Sequence, residues 1–368
     1  MDYIPALDPL PIPGPPLLLH VLLVFTFVIH VLFMNMALGG TAIAAWSYFR
    51  DPKGKGGRLA TEISQWNTYG IAFTVTTGIA PLLFLQVLYG QLFYSAAILL
   101  GGFWIASLAM LTAGYYSNFV HKQSKGRPMR VWLLVAGASF ILMGIALTTV
   151  NVLALRPDIW PDVAADRVKA LSPSSLVPRF LHFFVGALAV AGYATTLIQI
   201  HKSRILGEGD GEETAYRSWA AGLGLRVART MTAVELGVGV WFLVALPKRV
   251  MMGVMGGSTY AVVVFGAGML LAIGLVISLY NLQDPMKERA KATAVGIHFL
   301  LVLVVMVMLR DAVRGVYLSG VFDPKDLIVE SQWLVFFIFA ALLAAALATV
   351  WWVVRRVIKE WDGRSASA

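Results

Sequence analysis

Ser174-Ser-Leu-Val-Pro-Arg-Phe-Leu-His182 opens an apolar run that closes in His201-Lys-Ser-Arg204, and the class of the whole chain follows from reading it. From Phe180 to Ile200 no Asp, Glu, Lys or Arg interrupts 21 residues. At about 1.5 Å per residue such a helix spans the roughly 30 Å of a bilayer's hydrocarbon core. Pro178 is tolerated in a first helical turn, where its missing N–H has no partner to lose, and the basic far end suits water. His182 therefore lies one turn inside the membrane, just below Arg179. Ionisable side chains at that depth are costly to bury and face a bundle interior, a cavity or a cofactor. Two readings of His182 fit: a hydrogen bond between helices, or axial ligation of a haem iron with Arg179 near a haem propionate.

With 58% hydrophobic, 12% aromatic and 13% charged residues over 368, the chain is too apolar for a soluble globule. It reads as an all-α, polytopic membrane helix bundle, one integral membrane domain over residues 1–368. Cysteine is absent, which excludes disulfides, thiolate metal sites, iron–sulfur clusters and covalently attached c-type haem on this chain. The net charge of +9 sits in short loops between apolar runs, so topology accounts for it and no nucleic-acid partner is expected. Met1 to Pro16 is proline-rich and lacks the basic start of a cleavable signal peptide, so the first helix is expected to remain in the mature protein.

About nine apolar runs are long enough to span: 17–48, 66–89, 91–119, 130–154, 177–200, 227–247, 257–281, 293–309 and 333–354. Lys and Arg cluster in Arg50–Arg58, His121–Arg130, His201–Arg217 and Arg355–Arg364, which marks those segments as cytoplasmic. A tight turn at Tyr89-Gly90-Gln91, the 156–178 loop, the turn at 247–256 and the 310–332 loop then face outward, placing the N-terminus outside and the C-terminus inside. Aromatic residues such as Trp46, Trp66, Tyr94, Trp351 and Trp352 gather near the expected interfaces and read as belt anchors. The expected location is the inner membrane of a prokaryote.

His20 and His182 lie near the outer ends of their helices, His30 and His298 near mid-membrane, and His121 and His201 at the basic inner ends, where solvated positions are expected. His20 and His30 are about 15 Å and about 80° of rotation apart along one helix, too far to share a metal. They serve two sites, or one site and one packing role. Glu235 is read as the remaining intramembrane carboxylate, with Arg226 and Arg229 below it; it bonds another helix, accepts a proton from a quinol or contacts His298.

Arg179-Phe-Leu-His182 opening the fifth run, His20 near the start of the first, and nine spans with the N-terminus outside resemble subunit I of the cytochrome bd quinol oxidases. The resemblance covers mainly residues 17–206, a five-helix part, and leaves 207–368 as four further spans. Gly70-Ile-Ala-Phe to Thr77-Gly78 echoes that family's second helix, and Asn151 before Arg156-Pro157 ends the fourth as its counterpart does. By this likeness His182 ligates a haem b, His20 ligates a second haem on the outer side, and Arg249-Val250-Met251 supplies a methionine ligand, with Met252 and Met255 as alternatives. His30 and His298 are further candidate cofactor positions. They either bind a third haem between them or hydrogen-bond within the bundle.

The sequence also departs from that family. Residues 91–119 contain no Asp or Glu, although the family's third helix carries proton-conducting carboxylates. The long quinol loop is reduced to about Pro247–Ser258, and its Gly-Arg-Gln-Pro-Trp signature is absent; Arg310-Asp311 to Arg314-Gly315 occupies the corresponding end of the eighth helix. The expectation is a b-type cytochrome subunit passing electrons between the quinone pool and a periplasmic redox partner. Its partners are lipid, quinone and other subunits of a respiratory complex, with a c-type cytochrome among the candidates. The alternatives are a bd-type terminal oxidase and a haem-free anchor or transporter.

Overall fold

The computed structural model describes residues 11–123, 129–207 and 209–365. Two expectations, the character of Met1–Leu10 and the basic stretch at 124–128, lie outside the described residues. Among these residues the chain forms α1 (Pro16–Arg50), α2 (Lys55–Leu99), α3 (Gly101–Gln123), α4 (Met129–Ala154), α5 (Trp160–Ala165), α6 (Leu176–Leu206), α7 (Gly211–Ala245), α8 (Lys248–Met252), α9 (Thr259–Asn281), α10 (Arg289–Leu318) and α11 (Trp333–Ser365). Short 3-10 turns and one isolated bridge, Ile12 to Val329, complete it. Eight helices are long and apolar enough to cross a membrane. The ninth long helix, α3, falls short because Ser107, Thr112, Tyr115, Tyr116 and Asn118 dilute it. The all-α membrane bundle expected from the sequence is the observed architecture.

Helix directions alternate. The start of α1 (Leu19, Leu23) shares one apolar cluster with the ends of α4 (Val150, Leu153), α7 (through Leu246) and α10 (Val313, Tyr317); call this the entry end. At the far end, Ile43 and Ala44 of α1 meet Leu59 and Ile63 of α2, Leu133 of α4 and Tyr216 of α7. In the middle, α1 and α6 approach closely, because a Cβ on Gly39 would stand 2.1 Å from the Ala187 carbonyl oxygen. Small residues of this kind let backbones touch where lipid offers no hydrophobic drive.

The helices differ from the apolar runs in two ways, each with a physical reason. The expected break at Tyr89-Gly90-Gln91 is a kink between two helical stretches, where Tyr89 leaves helical geometry (φ −135°, ψ 25°), and the next long helix starts only at Gly101, after a short stretch to Leu99. Leu92, Phe93 and Ala96 beyond the kink bury against Trp160, Val163 and Val250, so the extension closes the entry end. At the far end α2 and α7 begin well before their apolar cores. Asp51 accepts hydrogen bonds from the Gly54 and Gly56 amides at 3.0 and 3.2 Å, and Asp210 accepts one from the Glu213 amide at 2.8 Å. These caps start the helices inside segments whose charges read as loop. Gly207 and Gly209 turn the chain between α6 and α7 with φ of 75° and 76°, a region few other residues enter.

Candidate functional site

The entry end gathers most of the buried charge. Ser175 precedes α6 and Pro178 sits in its first turn, so Arg179 and His182 project one above the other towards α7. The Arg179 guanidinium lies 5.1 Å from the Phe242 ring centroid and 5.8 Å from that of Tyr317, and Nη1 donates to Asn151 Oδ1 at 3.2 Å. Its Nε and Nη2 are buried with no acceptor among the described residues. Below it, His182 Nδ1 stands 3.0 Å from Glu235 Oε1, close enough for an ion pair but off-line for a hydrogen bond. Glu235 Oε2 is likewise buried without a partner.

Glycines make this space. A Cβ on Gly239 of α7 would lie 3.4 Å from His182 Cε1, and one on Gly186 of α6 would lie 3.1 Å from Glu235 Oε1. The His182 ring also rests 5.9 Å from the Phe242 ring, centroid to centroid. Arg179, His182 and Glu235 thus form one cluster of buried, incompletely bonded polar groups, which native proteins rarely leave without an occupant. Glu235 meets His182, not His298, and Arg229 below it donates to the Leu279 and Leu282 carbonyls.

His20 is in a different state. Its Nε2 is 2.6 Å from Asp311 Oδ2 on α10, and Asp311 Oδ1 also accepts from Arg314 at 3.2 Å. Asp311 and Arg314 are both buried, 6% and 5% exposed, so Glu235 is not the one remaining intramembrane carboxylate. Arg310 stacks on Phe27 at 4.3 Å, and Arg314 lies 4.9 Å from the Tyr89 ring. Asp311 read from the sequence as part of a helix end, and its pairing was not visible from spacing alone. An Asp between two arginines reads that way until the start of α1 packs against it.

His30 Nδ1 donates to the Thr74 carbonyl at 3.0 Å on α2, leaving Nε2 as its lone-pair nitrogen, and Gly78 makes room for the ring. His298 is held against α9 by the Leu271 carbonyl and Ser278. No hydrogen bond or ring contact links His30 to His298 among the described residues, and no three His, Cys, Asp or Glu side chains converge there. Met251, on α8, packs against the same apolar cluster as Phe242. Arg249 beside it donates to the carbonyls of Ser319 and Tyr317 at 2.9 and 2.8 Å.

At the far end one expectation is corrected. His201 is exposed as expected, but His121 is fully buried: its Nδ1 is 2.8 Å from Ser64 Oγ, and Tyr48 packs edge-on to its ring. The extended α2 covers it, which the apolar run starting at residue 66 did not foresee. That extension also carries Glu62, which accepts from Gln199 at 2.7 Å, Lys202 at 2.5 Å and Tyr216 at 2.8 Å, tying α2 to α6 and α7.

The sequence matches no family model and no curated protein. Among solved structures it is similar to a chain of the bd oxidase from Geobacillus thermodenitrificans, with 13% identity and a TM-score of 0.67, over 93% of this chain and 98% of that one. At that identity the likeness speaks for the fold, and the protein is a membrane helix bundle with the fold of a bd oxidase chain.

Proposed function

We propose that the chain is a membrane-embedded b-type cytochrome subunit that passes electrons between the quinone pool and a redox partner at the entry end, within a larger respiratory complex of a prokaryotic inner membrane. The observation that carries this reading is the Arg179–His182–Glu235 cluster, in which two buried Arg179 nitrogens have no acceptor and the His182–Glu235 contact is incomplete. When bound there, a haem supplies reversible one-electron transfer. His182 would hold it through Nε2, with Glu235 facing Nδ1 and fixing which ring nitrogen keeps its proton. Arg179 offers Nε and Nη2 to a propionate and balances its charge away from water. Gly186 and Gly239 keep the neighbouring backbone clear, and Phe242 excludes water from the ring.

His20 offers the second proposed position, where its Nε2 would have to leave Asp311 to hold an iron. Arg314 would keep that carboxylate paired. Met251 belongs to the proposal as the family-like partner ligand, and His30 keeps a free Nε2 for a further one. The oxidase alternative is disfavoured because α3 carries no Asp or Glu. The purified protein is therefore expected to oxidise quinol with oxygen well below about 10 per second, an ordinary enzyme turnover. A pyridine haemochrome spectrum of the purified chain tests the main reading: b-type haem at one or more equivalents supports it, and a haem-free protein from haem-replete cells refutes it.

A further inference from the structure

A cavity of about 10 Å³ lies between α1 and α10 at the entry end, with Arg310, Asp311 and Arg314 on one side and Leu23, Val24 and Phe27 on the other. That is room for one water-sized particle. The charges around it do not balance. Asp311 is fully engaged, Oδ2 with His20 Nε2 at 2.6 Å and Oδ1 with Arg314 Nη1 at 3.2 Å. Arg310 has no carboxylate and no other hydrogen-bond acceptor among the described residues; its guanidinium stands 4.3 Å from the Phe27 ring centroid. Two guanidiniums therefore line the cavity against a single carboxylate, and with His20 neutral one positive charge is left over.

Arg310 also points away from water. α10 runs from the far end to the entry end, and side chains lean back towards the N-terminus of their helix, so Arg310 leans into the membrane. Phe27, the ring it reaches, lies seven residues beyond His20, about 10 Å deeper along α1. A side chain seeking the headgroups would turn the other way. A ring face offsets only part of the cost of a cation at that depth, and a water molecule brings no charge. We infer that the α1/α10 cavity binds a single halide-sized anion, chloride in ordinary media, which accepts hydrogen bonds from Arg310 and neutralises the excess charge. A phosphate or a carboxylate-bearing headgroup is too large for it. The inference takes the His20–Asp311 pair closed, as it stands, and is independent of a haem at His182.

The test uses the full chain in nanodiscs of neutral phosphatidylcholine, with gluconate as the background anion and radiolabelled chloride as the probe. Saturable binding that approaches a single chloride per chain is expected, with bromide competing and sulfate not. Arg310→Gln, which removes the unpaired charge, should weaken binding at least about 10-fold, the scale of losing a hydrogen bond to a charged group. Val24→Phe, which fills the cavity and leaves every charge in place, should do the same. Arg226→Gln, at an exposed arginine of α7 that does not line the cavity, should bind as the unmodified chain does. Absence of saturable binding, unchanged binding by either cavity variant, or displacement by sulfate overturns the inference. A haem spectrum of each sample is read in parallel: chloride binding should be the same with and without haem at His182, so failure here is distinct from failure of the cytochrome reading.

Discussion

His182 and His20 occupy matching places, each near the start of a membrane helix at the same end of the bundle and each facing a carboxylate from a later helix. Their states differ. The His20–Asp311 pair is closed: the contact is short, Arg314 supplies a second partner, and Arg314 in turn lies against the Tyr89 ring at the kink of α2. The His182–Glu235 pair is open, with unsatisfied atoms on both partners and on Arg179 above. A closed pair holds helices together, whereas an open one has bonding capacity left for a ligand.

The sharpest way to break this contrast is to remove the open histidine. His182→Ala should eliminate one haem equivalent, read as the haem-to-protein ratio, with the helical content unchanged. Full haem retention would contradict the assignment.

Asp311→Ala should show the opposite profile, because it leaves the Arg314 guanidinium buried without its carboxylate. A loss of about 3–5 kcal/mol in stability is expected from breaking such a pair. It is measurable as a lower thermal midpoint in detergent, while the haem at His182 stays. If Asp311→Ala melts like the parent chain, the closed pair is not a structural lock.

Glu235→Gln sharpens the open side. Keeping the shape but removing the charge behind the histidine should weaken haem binding about 10–100-fold, as loss of an outer-shell partner typically does. The thermal midpoint of the haem-free chain should barely move, since Glu235 makes no complete hydrogen bond there. A large drop in stability would mean that this pair, too, is structural.

The smallest effect belongs to His20→Ala at limiting haem. Iron at His20 must first displace Asp311, so His182 fills before it. With one haem per chain or less the variant should match the parent, and only the second equivalent should be lost at saturation. Loss of the first equivalent instead would reverse the ranking of the two pairs.

Much of this was legible in the residues. Runs of about twenty apolar residues can only be membrane helices, because unpaired backbone groups are too costly in lipid, and that reasoning located the spans without reference to packing. Arg179 and His182 were legible for the same reason: charge one turn inside a bilayer needs an explanation. His121 was misplaced because its solvation depends on another helix reaching over it. Asp311 was read as part of a helix end because its partner, His20, comes from the first helix and lies 291 residues away in the chain.

The sequence by itself determined the all-α membrane bundle and the approximate course of most of its spans, since these depend on local composition against the thickness of a bilayer. Only the tertiary structure decided which carboxylate each histidine meets and whether that pair is complete. Those pairings join residues as far apart in the chain as His20 and Asp311, and they follow from helix packing and from glycine gaps such as Gly186 and Gly239.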